Sequence, residues 1–299
     1  MGGSLALALR SAQIEEQHPV CPGCSEPVNR CLGEVAATKI FLCHSCGLTF
    51  TDCSVTSSYG HEEWYEWLKF TPETGEKYLR FQTEMFTRQL HILSRLAPGR
   101  DLLDVGAGLG IFARIASTNG WRAICAEINP RAKKFGAEIY GLQYRDLDSI
   151  PQASMDVVRL SHVLEHVSQP RAFLARLRDC LRPEGICVVL VPHYEPLNCV
   201  IKNLVLKCVP GKHDFRGHVY SPQHVLGFTR ASLARVFQLA GFIPVEVRSV
   251  SRGDRTYYPW ISDDARLSAK EVVFELINRV GNVLGRGSWL VGYFRKSRI

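Results

Sequence analysis

No stretch of the 299-residue chain approaches the ~18 consecutive apolar residues that a helix needs to span a bilayer, which excludes an integral membrane protein built on helices. The N-terminus also lacks the marks of an export signal. Leu5 to Leu9 is an apolar run shorter than the ~7–15 residues of a signal core, and no basic region precedes it. Ala6 stands where a myristoylation signal wants Ser or Thr. A cytoplasmic location with reduced thiols is therefore expected. Strong compositional bias is missing too: with 46% hydrophobic and 22% charged residues, the chain is not disordered, collagen-like or a solenoid. Eleven cysteines in 299 residues are too sparse for a disulfide scaffold. The net charge of +7 is mild and permits an anionic partner without demanding one. A long basic arm or an aromatic–basic pattern for nucleic acid is absent.

The length suits one large domain with something small attached, or two domains. The cysteines indicate what the small part is. Cys21-Pro22-Gly23-Cys24 and Cys43-His44-Ser45-Cys46 are two CxxC pairs with eighteen residues between them, the spacing of a four-thiolate zinc site carried on two tight turns. Pro22-Gly23 and Gly47 supply turn chemistry, and Lys39 to Leu42 reads as a strand leading into the second pair. Four protein ligands leave no open position, so the ion is expected to fold this segment rather than catalyse. Cys31 and Cys53 flank the pairs. Cys125, Cys180, Cys187, Cys199 and Cys208 read mostly as small buried hydrophobes.

The expected organisation is a lead-in at 1–18, a zinc ribbon at 19–55, a helical connection at 56–99 and a large domain at 100–299. In the connection, Trp64, Tyr65, Trp67 and Leu68 are followed by Tyr78, Phe81, Met85, Phe86, Leu90 and Leu93 at helical spacing. These aromatics are expected to form a packing seam between ribbon and main domain, rather than a platform for stacking bases.

From residue 101 strands and helices alternate. Asp101 to Val105 is a short apolar run, Gly106-Ala107-Gly108-Leu109-Gly110 a glycine loop, Ile111 to about Asn119 a helix, and Arg122 to Glu127 the next strand. Asn129-Pro130 caps the following helix. This is the opening of a doubly wound α/β sheet, in which glycines let the backbone approach a ligand at the strand's carboxyl edge beside a helix N-terminus. Glu127, about 20 residues past the loop, suits a carboxylate accepting from ribose hydroxyls.

The loop is tighter than the dinucleotide G-x-G-x-x-G, and Asp104 stands two residues before its first glycine. From about Leu102 to Phe242 the sequence resembles the class I S-adenosylmethionine-dependent methyltransferases, in particular the group like ubiquinone-biosynthesis methyltransferases. The residues that carry the resemblance are Asp104 to Gly110 as the cofactor loop and Glu127 as the ribose acid. Asp146 lies where the family contacts adenine. Met155 to His166 resembles the fourth strand and its turn, and Leu181 to Gly185 with Ile186 to Val191 the turn into the fifth. The resemblance implies a seven-stranded, mostly parallel sheet whose last strand, Trp289 to Phe294, returns antiparallel. It also implies S-adenosyl-L-methionine as cofactor, held by Asp104, Gly106, Ala107, Gly108, Gly110, Glu127, Ile128, Asp146, Leu147, Ser161 and His162.

Methyl transfer to a hydroxyl asks for alignment and a base. His162, His166 and His193 are expected near the carboxyl edge, and His218 on the acceptor side; each is a candidate catalytic group. His162 is read either as an acid/base residue or as a local hydrogen-bonding group. His193, His213, His218 and His224 are candidate acceptor contacts. His162-x-x-Glu165-His166 also has the order of inverted zinc peptidases, but no third ligand is evident. Residues 194–224 are expected to cover the acceptor as a lid, with Leu197 to Val209 as a lid helix or a helix resting peripherally on a membrane. A helical insertion at 265–285 opens with the capping box Ser268 to Glu271. Val272, Val273, Leu276, Ile277, Val280 and Leu284 lie on one face of it, read as packing or dimerisation.

Absences narrow the acceptor. No Asn/Asp-Pro-Pro-Tyr follows the fourth strand, as base amino-methylation would want, and no Pro-Cys nucleophile stands at Pro192-His193. The expected activity is O-methylation of a small molecule, natural product or glycan. RNA methylation with the ribbon gripping nucleic acid is the alternative.

Overall fold

The structure, a computed structural model, describes residues 19–35, 38–51, 72–207, 224–251, 254–257 and 269–297. Trp64 to Leu68, Cys53, Cys208, His213, His218 and Ser268 lie outside the described residues.

The large domain is built on a seven-stranded sheet. Its strands are β4 (Asp101–Val105), β5 (Arg122–Ala126), β6 (Gln143–Tyr144), β7 (Met155–Ser161), β8 (Leu181–Pro192), β10 (Phe242–Val250) and β11 (Trp289–Lys296), in the order β10-β11-β8-β7-β4-β5-β6. β4, β5, β6, β7 and β8 pair in parallel, and β11 runs antiparallel to both β8 and β10. This is the fold expected from the sequence, with the last strand reversed. β4 and β7 are central strands buried on both faces, where consecutive Leu102 and Leu103, and Val157 and Val158, are each fully buried.

The turn expected at Leu181 to Gly185 is absorbed into β8 as an irregularity. Glu184 takes φ +64°, and the pairing with β7 shifts register between Met155 and Val157.

The helices begin with α1 (Pro72–Leu96), α2 (Ile111–Thr118) and α3 (Pro130–Tyr140). Then come α4 (Pro170–Cys180), α5 (Leu197–Lys207), α6 (Arg230–Leu239) and α7 (Ala269–Val283). The described part of the apolar stripe of α1 packs on the large domain rather than on the ribbon, and the side chains of Tyr78 and Phe81 lie outside the described residues. Met85, Phe86, Leu90 and Leu93 join the core around α2, where Phe86 meets Phe112 edge-on at 5.1 Å. The ribbon instead sits against α6, in a different part of the core.

The ribbon comprises β1 (Cys31–Val35), β2 (Thr38–Leu42) and β3 (Thr49–Thr51), antiparallel, and a fourth strand, β9 (Leu226–Gly227), contributed by the large domain. Thr49 pairs with Gly227 and Phe50 with Leu226. Leu48, Phe50 and Leu226 are each at most 2% exposed, and each buried side chain is worth about 1.5–3 kcal/mol relative to exposure. Ribbon and large domain thus share one sheet and one apolar core.

The face of α7 read as packing or dimerisation is turned outward, so it does not pack within the described chain. Val272, Val273, Leu276, Val280 and Leu284 are exposed, while Glu275, Asn278 and Gly281 are buried. Asn278 accepts from the Ser251 hydroxyl through its carbonyl, and its side-chain Oδ1 lies 3.3 Å from the Ser288 hydroxyl. Inward polar pairing, rather than apolar burial, docks this helix. α5 lies beside it, also with apolar side chains exposed at Leu204 and Val205. Among the described residues, no helix is long and apolar enough to cross a membrane.

Candidate active site

The glycine loop leaves β4 with Gly106, Gly108 and Gly110 at φ +68°, +55° and +77°, a left-handed conformation that costs other residues about 1–2 kcal/mol each. Space is denied as well. A Cβ on Gly106 would lie 2.3 Å from Val163 Cγ2, and one on Gly110 2.2 Å from Leu142 Cδ1. Glu127 braces the loop from the tip of β5. Its Oε2 accepts the Gly108 N–H at 2.7 Å, and its Oε1 accepts those of Ile128 and Asn129 at 2.8 and 2.9 Å. Asn129 caps α3 by accepting the Ala132 N–H at 3.0 Å. Tyr144, which sequence reasoning missed, donates its hydroxyl to the Gly108 carbonyl at 3.1 Å. Only the fold brings it there, from β6.

Asp104 lies beneath the loop and is 1% exposed. One carboxylate oxygen accepts from Arg159 Nη1 at 2.8 Å, while the other, Oδ2, has no hydrogen-bond partner. Burial pushes the carboxyl pKa up, against the pull of the Arg159 guanidinium. Arg159 itself lies over the Phe112 ring, 3.9 Å from its centroid. Its place in an apolar strand gave no hint of this role.

The remaining residues expected to hold cofactor come together at the carboxyl edge of the parallel strands, where open α/β sheets bind ligands. Ile128 is 68% exposed just past β5. Asp146 and half-buried Leu147 follow β6, with the exposed Asp146 carboxylate 3.9 Å from Lys133 Nζ. Ser161 and His162 end β7. The glycine cradle and the unpartnered buried Asp104 oxygen fit a compact polar ligand with a ribose within reach of Glu127.

His162 adopts φ +56°, a strained conformation for a non-glycine residue. Its Nδ1 lies 3.3 Å from Glu165 Oε1, its ring meets Trp289 edge-on at 5.1 Å, and its side chain is 37% exposed. Glu165 is 1% exposed, and neither of its carboxylate oxygens completes a hydrogen bond. The nearby imidazoles hold its carboxyl below the usual range, against the opposing effect of burial. His166 and His224 face each other with ring centroids 4.8 Å apart. The structure therefore brings His162, His166 and His224 together. It does not place His193 on the open cleft: this residue is 4% exposed, with Nδ1 2.9 Å from the Gly287 carbonyl and its backbone N–H donated to Ser288.

The two CxxC pairs converge. Cys21 Sγ lies 3.5 Å from Cys46 Sγ and Cys24 Sγ 3.4 Å from Cys43 Sγ, with all four sulfurs within 4.8 Å of one another. A tetrahedral ion with bonds of ~2.3 Å sets sulfurs about 3.8 Å apart, so the set fits zinc. Each pair sits on its own knuckle, and the two knuckles have the same form. Ser25 N–H donates to Cys21 O and Gly47 N–H to Cys43 O, both at 2.8 Å, with Ser25 and Gly47 left-handed at φ +66° and +72°.

A family model described as a methyltransferase domain matches residues 78–247. A ubiquinone biosynthesis O-methyltransferase of Dinoroseobacter shibae is 28% identical over 166 residues, 51% of this chain and 63% of its own. One from Cereibacter sphaeroides is 31% identical over 131 residues, 39% and 53%. A human thiol S-methyltransferase is 32% identical over 128 residues, 39% and 52%. The chain thus spans between about half and two-thirds of the length of these relatives. Among solved structures, Haemonchus contortus phosphoethanolamine N-methyltransferase 2 in complex with S-adenosyl-L-methionine superposes with a TM-score of 0.55 at 15% identity, covering 90% of this chain and 71% of that one. That likeness speaks to the fold.

Proposed function

The chain belongs to the methyltransferase-domain family, and we propose that it transfers a methyl group from S-adenosyl-L-methionine to a hydroxyl of a small molecule, natural product or glycan. The observation that carries the reading is the left-handed glycine cradle braced by Glu127, opening beside His162 and the buried Glu165. The O-methylating relatives support a hydroxyl acceptor.

S-adenosyl-L-methionine supplies a sulfonium methyl as electrophile. The chain's residues do the rest by position. Gly106 to Gly110 admit the ligand to the backbone, and Asp104 Oδ2 offers a buried acceptor to a polar group on it. Glu127, fixed by three N–H groups, presents its remaining lone pairs to a ribose. Ile128 and Leu147 give apolar surface to an adenine. Glu165 holds His162 at Nδ1, so that Nε2 is left to take the acceptor's proton as the oxygen attacks. Cys21, Cys24, Cys43 and Cys46 hold a structural zinc ion, whose binding energy is folding energy for the ribbon. The ribbon's β3 edge and apolar face are taken up by β9 and α6, which favours a structural role over a grip on RNA.

The test is transfer of labelled methyl from S-adenosyl-L-methionine to hydroxyl-bearing small molecules in an extract, with the product identified. Labelled ether products are expected, and His162→Ala should lower their rate by about 10²–10⁴-fold. Label found only in RNA, or only on nitrogen or sulfur, would refute the proposal.

A further inference from the structure

We propose a second metal site in this chain, distinct from the cysteine cluster: Glu165, His166 and His224 bind a divalent first-row transition ion beside the acceptor position. Its catalytic use rests on the methyl-transfer reading above; its existence does not.

One candidate ligand atom from each residue lies within 4.8 Å of the others. Ligand bonds of ~2.1 Å place such atoms about 3–4 Å apart, so a closure of roughly 1 Å completes the set. Two imidazoles and one carboxylate suit zinc, cobalt, nickel, manganese or iron(II), and three protein ligands leave open positions, unlike the four-thiolate set.

Two independent observations point to a cation here. The first is the carboxylate: Glu165 is 1% exposed, Oε1 has only a loose ion-pair contact with His162 Nδ1 at 3.3 Å and Oε2 has no hydrogen-bond partner, and an under-satisfied buried anion is costly. The second is how the ligands are held. Glu165 and His166 are consecutive in the short 3-10 turn Leu164–His166. His224 arrives from a segment 58 residues later in the chain, and the next residue, Val225, is tied down through both its backbone groups. The Val225 N–H donates to the Glu165 carbonyl at 2.8 Å, and the Val225 carbonyl accepts the Thr51 N–H at 3.0 Å. The Glu165 turn thus holds the His224 segment directly, and the ribbon supports that segment from its other side through β3 and β9. This gives the ribbon a role in the chemistry without touching substrate.

The step follows. The acceptor hydroxyl takes an open position, and the ion polarises its O–H. The proton passes to His162 Nε2. The oxygen attacks the methyl carbon; the O–C bond forms, the C–S bond breaks with its pair left on sulfur, and S-adenosylhomocysteine departs. The ion keeps its oxidation state.

The experiment titrates the full-length apo-chain with cobalt(II), following stoichiometry by elemental analysis and visible absorption, with S-adenosylhomocysteine calorimetry alongside. Two cobalt ions per chain are expected, one giving sulfur-to-cobalt charge transfer and one without it. Glu165→Gln, which keeps side-chain shape, and His224→Ala should each weaken only the second by at least ~tenfold while leaving S-adenosylhomocysteine binding in place. One cobalt in the unmutated chain, or two tight ones in both variants, overturns the site. Methyl transfer that persists with only the cysteine site loaded overturns the metal's catalytic role and leaves the transfer reading standing. Two cobalt ions without any S-adenosylhomocysteine binding would uphold the site and sink the transfer reading instead.

Discussion

Replacing Arg159 with methionine tests whether the glycine loop stands on a buried charge pair. The substitution keeps most of the side-chain volume and removes the guanidinium that pairs with Asp104 at 2.8 Å, where the two side chains are 10% and 1% exposed. Breaking a buried pair by removing one partner costs about 3–5 kcal/mol, because the other charge stays buried. The guanidinium's contact with Phe112, 3.9 Å from the ring centroid, adds about 0.5–2 kcal/mol. Urea denaturation at pH 7 should therefore show Arg159→Met destabilised by about 3–5 kcal/mol or more. The double variant Asp104→Asn/Arg159→Met should recover most of the loss, since no buried charge remains. The pH dependence has a definite sign. Burial raises the Asp104 carboxyl above its ordinary 3.8, so its contribution to stability is fully present below that value and lost as pH rises through the folded value. Without Arg159 the rise is larger, so the deficit of the single variant should shrink from pH 7 to pH 5. A single variant within about 1 kcal/mol of the parent, or a double variant no better than the single, would refute this reasoning.

Three further outcomes are expected. Gly106→Ala combines a left-handed backbone with a Cβ 2.3 Å from Val163, so it should cost about 2–5 kcal/mol in urea denaturation; a neutral effect would mean the loop is not held as described. The hydrogen bond and charge of Arg122, aided by Arg182, hold the Asp101 carboxyl down at about 2, so that support is present above 3.8 and lost as pH falls through about 2. The arginines are partly exposed, so Asp101→Asn should remove only about 1 kcal/mol near neutrality and flatten the acid limb of a stability–pH curve; an unchanged limb would contradict the pairing. Cys43→Ser should open the ribbon, and hydrogen exchange should then quicken at the Thr51 and Val225 amides that tie β3 and β9 to the Glu165 turn. Unchanged protection would show that the ribbon does not hold that turn.

Local pattern carried much of the fold and the cofactor side of the site. The loop, Glu127 and the Asn129-Pro130 cap were legible because glycines, a strand-end acid and a helix cap act within about 30 residues of sequence. What needed the fold was long-range. The pairing of Phe50 with Leu226 joins segments whose strands are too short to show a period. His224 could not be recognised as a candidate third ligand until the β9 segment brought it to Glu165, and Tyr144 and Arg159 depend on neighbours from other strands. Periodicity also misleads where it says only that a helix has two faces. In α7 the apolar face points out and Glu275 and Asn278 point in. His193 follows a strand whose end is covered rather than open, so its position in sequence suggested a cleft that the packing closes.

The most direct test of the central claim is isothermal calorimetry of the full chain with S-adenosylhomocysteine, the product of methyl donation. Binding of one molecule per chain is expected. Glu127→Ala should weaken it by at least about tenfold, the equivalent of one charge-assisted hydrogen bond. No heat of binding to the unmutated, folded chain, or an affinity indifferent to Glu127, would contradict the account.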